Sequence, residues 1–113
     1  DDSAILLRNV KSILDEKYIV YIATSGEQAL KSVPNKQPDL ILLDYEMPGM
    51  DGKETYERLK AQEDIKDIPV IFLTSVADKE HIYSIVQTRP AGYILKPPDR
   101  ERLFKSIEEA LGF

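Results

Sequence analysis

The sequence predicts an α/β layer sandwich, a doubly wound parallel sheet with helices on both faces, and three observations carry that reading. Short apolar runs alternate with amphipathic stretches from end to end. The run Leu40-Ile41-Leu42-Leu43 has no polar alternation, as expected of a parallel strand covered on both faces. Turn and helix-start signals separate the elements, and right-handed crossovers between parallel strands then place helices on both sides of one sheet.

The elements follow in order. After Ser3, the residues Leu6, Leu7, Val10, Ile13 and Leu14 recur at helical spacing and define a first helix with one buried stripe. Tyr18 to Ala23 is β-branched and aromatic and reads as a strand. Ser25-Gly26-Glu27-Gln28 is a capping box that opens a second helix through Ala29, Leu30 and Val33, and Pro34 and Pro38 are expected to fence off its end. Leu40–Leu43 is the next strand, followed at once by Asp44. Pro48-Gly49-Met50-Asp51-Gly52 is turn chemistry, and Asp51 with Glu54 caps a third helix that turns Tyr56 and Leu59 inward. Val70–Leu73 is a strand ending at Thr74-Ser75. A fourth helix begins after Asp78 with Ile82, Ile85 and Val86 on one face, and Pro90 blocks its continuation. Tyr93-Ile94-Leu95 forms the last strand, and Lys96-Pro97-Pro98-Asp99 leads into a final helix with Leu103, Phe104, Ile107 and Leu111 inward.

This pattern contains four strands and five helices, and such a sheet wants a strand ahead of Asp1. The expectation is therefore a single domain over residues 1–113 whose first strand lies just upstream of Asp1, outside the sequence.

Composition narrows the function. A chain of 113 residues suits one compact domain, and its apolar runs fall far short of the roughly 20 residues a membrane-spanning helix needs. A net charge of −5 argues against a surface that neutralises nucleic acid phosphates. The absence of cysteine removes disulfides, thiolate zinc sites and thiol nucleophiles, and fits a reducing cytoplasm. His81 is the only histidine, too few for a His-based metal site. No direct contact with nucleic acid or membrane is expected.

Ligands of open α/β sheets bind beyond the carboxyl ends of the strands. Asp1 and Asp2 end the presumed first strand, Asp44 the next interior one, Thr74 the one after it and Lys96 the last. Taken singly, a strand-end Asp is most often a turn or cap residue, a Thr there satisfies a loop amide, and a Lys is solvated. Together they bring three carboxylates, a hydroxyl and an ammonium to one rim. Carboxylates so grouped repel unless a cation joins them, and oxygen ligands without His or Cys select a hard ion, so Mg²⁺ is the expected cofactor, with Mn²⁺ as a substitute. With Mg²⁺ and Lys96 in place, Asp44 is suited to attack a phosphoryl group as a carboxylate nucleophile, while Lys96 and Thr74 hold its oxygens.

The strings Asp1-Asp2-Ser3, Pro38–Asp44, Met47-Pro48-Gly49-Met50-Asp51-Gly52, Pro69–Thr74 and Gly92-Tyr93-Ile94-Leu95-Lys96-Pro97 resemble a response-regulator receiver domain of two-component signalling, in order and spacing across nearly the whole chain. The resemblance implies a flavodoxin-like fold with strand order 2-1-3-4-5, and phosphorylation of Asp44 by a sensor histidine kinase or phosphotransfer protein. It implies that Asp2 and Asp44 ligate Mg²⁺ directly, that Asp1 acts through water, and that the main-chain carbonyl of Glu46 is a further ligand. Thr74 and Tyr93 would form the switch pair, and the Lys96–Pro97 peptide would be cis. Such a domain is a signalling phosphoacceptor rather than an enzyme of turnover, with Mg²⁺-dependent self-phosphorylation and self-dephosphorylation. Its output would pass through the fourth helix, last strand and last helix to an effector domain or a homodimer partner. The chain departs from the pattern at Arg89-Pro90, where the family often has Gly-Ala. Arg89 is expected to be extended because a proline follows it. Pro98 replaces a commonly aromatic residue, and Glu46 adds a carboxylate near the rim.

Overall fold

The computed structural model describes residues 2–45, 49–75, 83, 87 and 89–112, apart from the side chains of residues 2–4 and 75. The chain builds α1 (Asp2–Leu14), α2 (Gly26–Lys36), β1 (Ile41–Asp44), α3 (Gly52–Lys60), β2 (Val70–Ser75), β3 (Gly92–Lys96) and a C-terminal helix (Arg100–Leu111). The strands form a parallel three-stranded sheet in the order β1-β2-β3, which is the later part of the strand order expected from the sequence. Ile41 pairs with Val70 and Asp44 with Leu73, while Ile71 pairs with Gly92 and Ser75 with Lys96.

β2 is the centre of the sheet because both of its faces find apolar cover. Side chains alternate across a strand, so Ile71 and Leu73 face one way and Val70 and Phe72 the other. Ile71 and Leu73 pack with Val10 and Leu14 of α1, Ile94 of β3, and Leu103, Phe104 and Ile107 of the C-terminal helix. Val70 and Phe72 pack with Leu43 of β1, Tyr45 just beyond it and Tyr56 of α3. Phe72 is fully buried, with its ring 5.7 Å from Tyr45 and 5.3 Å from Tyr56 between centroids. Burying it stabilises the fold by roughly 2–3 kcal/mol.

The expected caps form. The Ser25 hydroxyl accepts from the Gln28 amide at 3.1 Å, and the Asp51 carboxylate accepts from the Glu54 amide at 2.9 Å. Asp99 accepts from the Arg102 amide at 2.7 Å and starts the C-terminal helix. At the other end of α3, the Lys60 ammonium donates to the carbonyls of Lys66 and Ile68 and lies over the Tyr56 ring. That tie holds the segment before β2 in place, and burial lowers the Lys60 pKa below its ordinary value.

Three expectations need correction. The stretch Tyr18–Ala23 is not a strand: Tyr18 closes the end of α1, its amide donating to the Leu14 carbonyl at 2.9 Å and its ring stacking on Phe104 at 6.1 Å. Beyond it, Ile19 is 86% exposed. A β-prone run makes a strand only where a neighbour completes its ladder, and this one lies outside the described sheet. The strand expected ahead of Asp1 concerns residues outside the sequence.

Pro34 does not end α2 but sits inside its last turn, and the helix stops at Gln37. Gln37 has φ 46°, and its strain is offset by a backbone bond to the Val33 carbonyl and a side-chain bond to the Pro34 carbonyl, both 2.9 Å. Arg89 is not extended but left-handed, with φ 54°, although Pro90 follows. Of the helix expected after Asp78, Tyr83 and Gln87 are helical and exposed, whereas Asp78, His81, Ile82, Ile85 and Val86 lie outside the described residues.

Pro34 removes one amide donor from α2 and crowds the carbonyl one turn back. Pro34→Ala should therefore stabilise the protein by about 1–2 kcal/mol after allowing for the looser unfolded chain, seen as a higher urea midpoint. An unchanged or lower midpoint would show that the last turn of α2 carries no such cost.

Candidate functional site

Parallel strands deliver their last residues to a common edge, so β1, β2 and β3 bring Asp44, Thr74 and Lys96 to one rim. The Lys96 ammonium donates to Asp44 Oδ1 at 2.6 Å across a sequence separation of 52 residues. Both groups are withdrawn from water, the Asp44 side chain being 3% exposed and that of Lys96 20%. Thr74 is completely buried. Tyr93 lies near the start of β3, opposite Phe72, and is half-exposed. The Lys96–Pro97 peptide is cis, as expected.

The loop after the aspartate is held by backbone. The Tyr45 amide donates to the Leu73 carbonyl at 2.8 Å, and the Gly52 amide donates to the Tyr45 carbonyl at 3.0 Å. Gly52 is a residue that sequence reasoning treated only as turn chemistry. A Cβ there would stand 2.6 Å from the Tyr45 Cα and 3.0 Å from the Asp44 carbonyl oxygen, so only glycine lets α3 begin against the aspartate's own backbone. A glycine directly after the Asp51 cap, where a better helix former would be favoured, was the available signal. Tyr45 was missed as well, and its ring fills the layer beneath β1 with Phe72.

Of the expected metal ligands, only the Asp44 side chain is described. Asp1 and Glu46 lie outside the described residues, as does the Asp2 side chain, and Asp2 opens α1 rather than ending a strand. Among the described residues no group of three or more acidic, His or Cys side chains is gathered for a metal. The donor chemistry present is nevertheless that of a hard cation: a buried carboxylate on a rim built without cysteine. Among the described residues, no helix is long and apolar enough to cross a membrane.

A buried Lys–Asp pair at the carboxyl ends of parallel strands, beside a buried Thr and before a cis proline, defines a receiver-type α/β site. Residues 1–108 match the family model of the response regulator receiver domain, and the chain belongs to that family. It is 36% identical over 113 residues to a protein-glutamate methylesterase/protein-glutamine glutaminase of Trichodesmium erythraeum, covering 96% of this chain and 32% of that protein. Among solved structures, it resembles the signal receiver domain of a modulated diguanylate cyclase from Desulfovibrio desulfuricans, with TM-score 0.86, 32% identity, and coverage of 99% of this chain and 89% of that one. It also resembles the receiver domain of a sensor histidine kinase from Pseudomonas aeruginosa, solved with magnesium in its active-site cleft, with TM-score 0.89, 26% identity, and coverage of 97% and 91%. The chain is thus a receiver domain of two-component signalling, with the flavodoxin-like α/β fold of its neighbours.

Two substitutions probe the site without any ligand. Lys96→Ala leaves a buried carboxylate without its cation and should lower stability by about 3 kcal/mol in urea unfolding. An unchanged midpoint would mean the ion pair is not formed in solution. Gly52→Ala should cost about 2 kcal/mol, because the atoms in its way are backbone and cannot rotate aside.

Proposed function

We propose that Asp44 accepts a phosphoryl group from the phosphohistidine of a sensor histidine kinase or phosphotransfer protein, and that residues 1–113 act as one switchable receiver. The observation that carries this reading is the Lys96–Asp44 pair, a nucleophilic carboxylate held at 2.6 Å from a fixed cation. An Asp44 oxygen bonds to phosphorus as the donor's P–N bond breaks, and the imidazole leaves with a proton. Lys96 then moves its hydrogen bond to the phosphoryl oxygens, where the Thr74 hydroxyl joins it. Phosphoryl transfer is chiefly positioning and charge stabilisation, so neither residue has to act as acid or base.

Asp2 and Asp44 are the proposed direct ligands of Mg²⁺, with Asp1 acting through water and the Glu46 main-chain carbonyl completing the protein's share. When bound, the ion neutralises phosphoryl charge. Phosphorylation adds about −1.5 to −2 charge at Asp44, which draws Thr74 toward the new oxygens and vacates space for Tyr93 to turn inward. The surface made by the helix after Asp78, β3 and the C-terminal helix would then change shape for an effector domain or a second copy. The same site would hydrolyse its own aspartyl phosphate.

Incubation with acetyl phosphate and Mg²⁺, followed by intact mass spectrometry, should give one added phosphoryl group. The adduct should be lost to hydroxylamine, absent in Asp44→Asn and absent after chelation. A wild-type protein that stays unmodified would refute the assignment.

A further inference from the structure

The start of α2 carries a glycine where alanine or proline would make a better helix. Gly26 follows the Ser25 cap directly and is buried. A Cβ there would overlap the Thr55 hydroxyl of α3 and stand 3.2 Å from the Met50 sulfur and 3.3 Å from the Met50 Cβ. Thr55 cannot simply turn away. It is completely buried, and its hydroxyl donates to the Asp51 carbonyl at 2.8 Å, so another rotamer would strand that hydroxyl inside the protein.

Thr55 lies one turn after Gly52, so both residues belong to the first turn of α3 and sit next to each other on it. Gly52 approaches the Asp44 carbonyl oxygen and the Tyr45 Cα so closely that no Cβ fits, and its amide donates to the Tyr45 carbonyl at 3.0 Å. The first turn of α3 is therefore wedged between the start of α2 and the backbone of the aspartate. It cannot give way toward Asp44, where it already meets backbone, so any added bulk at Gly26 must tilt it and loosen the Gly52–Tyr45 bond. We propose that Gly26 and Thr55 are positioning residues for phosphoryl transfer, a spacer between α2 and α3 that sets the Asp44 backbone through Gly52. The inference rests on the phosphoacceptor reading above, whereas the spacer itself does not.

Two measurements separate the spacer from its consequence. Hydrogen exchange of the Gly52 amide relative to the Tyr45 amide, taken without metal or phosphodonor, reads the placement of α3. The rate at which acetyl phosphate and Mg²⁺ add a phosphoryl group, followed by intact mass on variants shown to be folded by circular dichroism, reads the position of Asp44. Gly26→Ala overfills the spacer and should speed the relative exchange of Gly52 about fivefold and slow phosphorylation about tenfold. Thr55→Ala leaves a gap in the same place and should move both readouts in the same directions. In Gly26→Ala/Thr55→Ala the new methyl refills that gap, and both readouts should return to within about threefold of wild type. Val33→Ala, which loosens the far end of the same helix pair against Leu59, should lower the urea midpoint and leave both readouts unchanged. Gly26→Ala matching wild type in either readout, a double variant no closer to wild type than Thr55→Ala, or Val33→Ala slowing phosphorylation as much as Gly26→Ala would overturn the proposal. Should Gly26→Ala not fold, the comparison of the double variant with Thr55→Ala decides. A wild type that takes no phosphoryl group defeats the phosphoacceptor reading and this proposal together, whereas a phosphorylated wild type with unaffected variants defeats this proposal alone.

Discussion

The ion pair between Lys96 and Asp44 is the interaction around which the remaining structure is arranged. Desolvating two charges costs about as much as their attraction returns, so such a pair adds little to stability compared with an apolar substitute. Removing one member, however, strands the other in a poorly solvated site. The pair therefore constrains the fold more than it strengthens it: β1 and β3 must end together, with β2 between them, for the ammonium to reach the carboxylate.

That geometry follows from the two buried faces of β2. Ile71 and Leu73 recruit α1 and the C-terminal helix, while Val70 and Phe72 recruit the aromatic layer of Tyr45 and Tyr56. Between the layers, the strand ends remain as the place where polar groups meet. The C-terminal helix is further tied to the end of α1, with Lys17 and Arg100 both over the Phe104 ring and Arg100 paired with Glu16. The helix that follows the Lys96–Pro97 turn is thus anchored within its first turn.

The relatives share this receiver while differing in what is attached to it. Those described include a methylesterase, a diguanylate cyclase and a sensor histidine kinase, and the chain spans about a third of the methylesterase.

Much of the molecule was legible in the residues themselves. Helical periodicity located α1 and the C-terminal helix, continuous apolar runs located β1 and β2, and Ser25 and Asp51 marked helix starts, because these signals depend on neighbours three or four positions away. The rim of Asp44, Thr74 and Lys96 was legible too, since parallel strands place their ends on one edge. What the tertiary structure alone decided was whether local preference found a partner. Tyr18 took Phe104 instead of a strand ladder, and Gly52 met the backbone at the end of β1. Each of these depends on contacts between residues distant in the chain or on the closure of the sheet, which no short window of sequence contains.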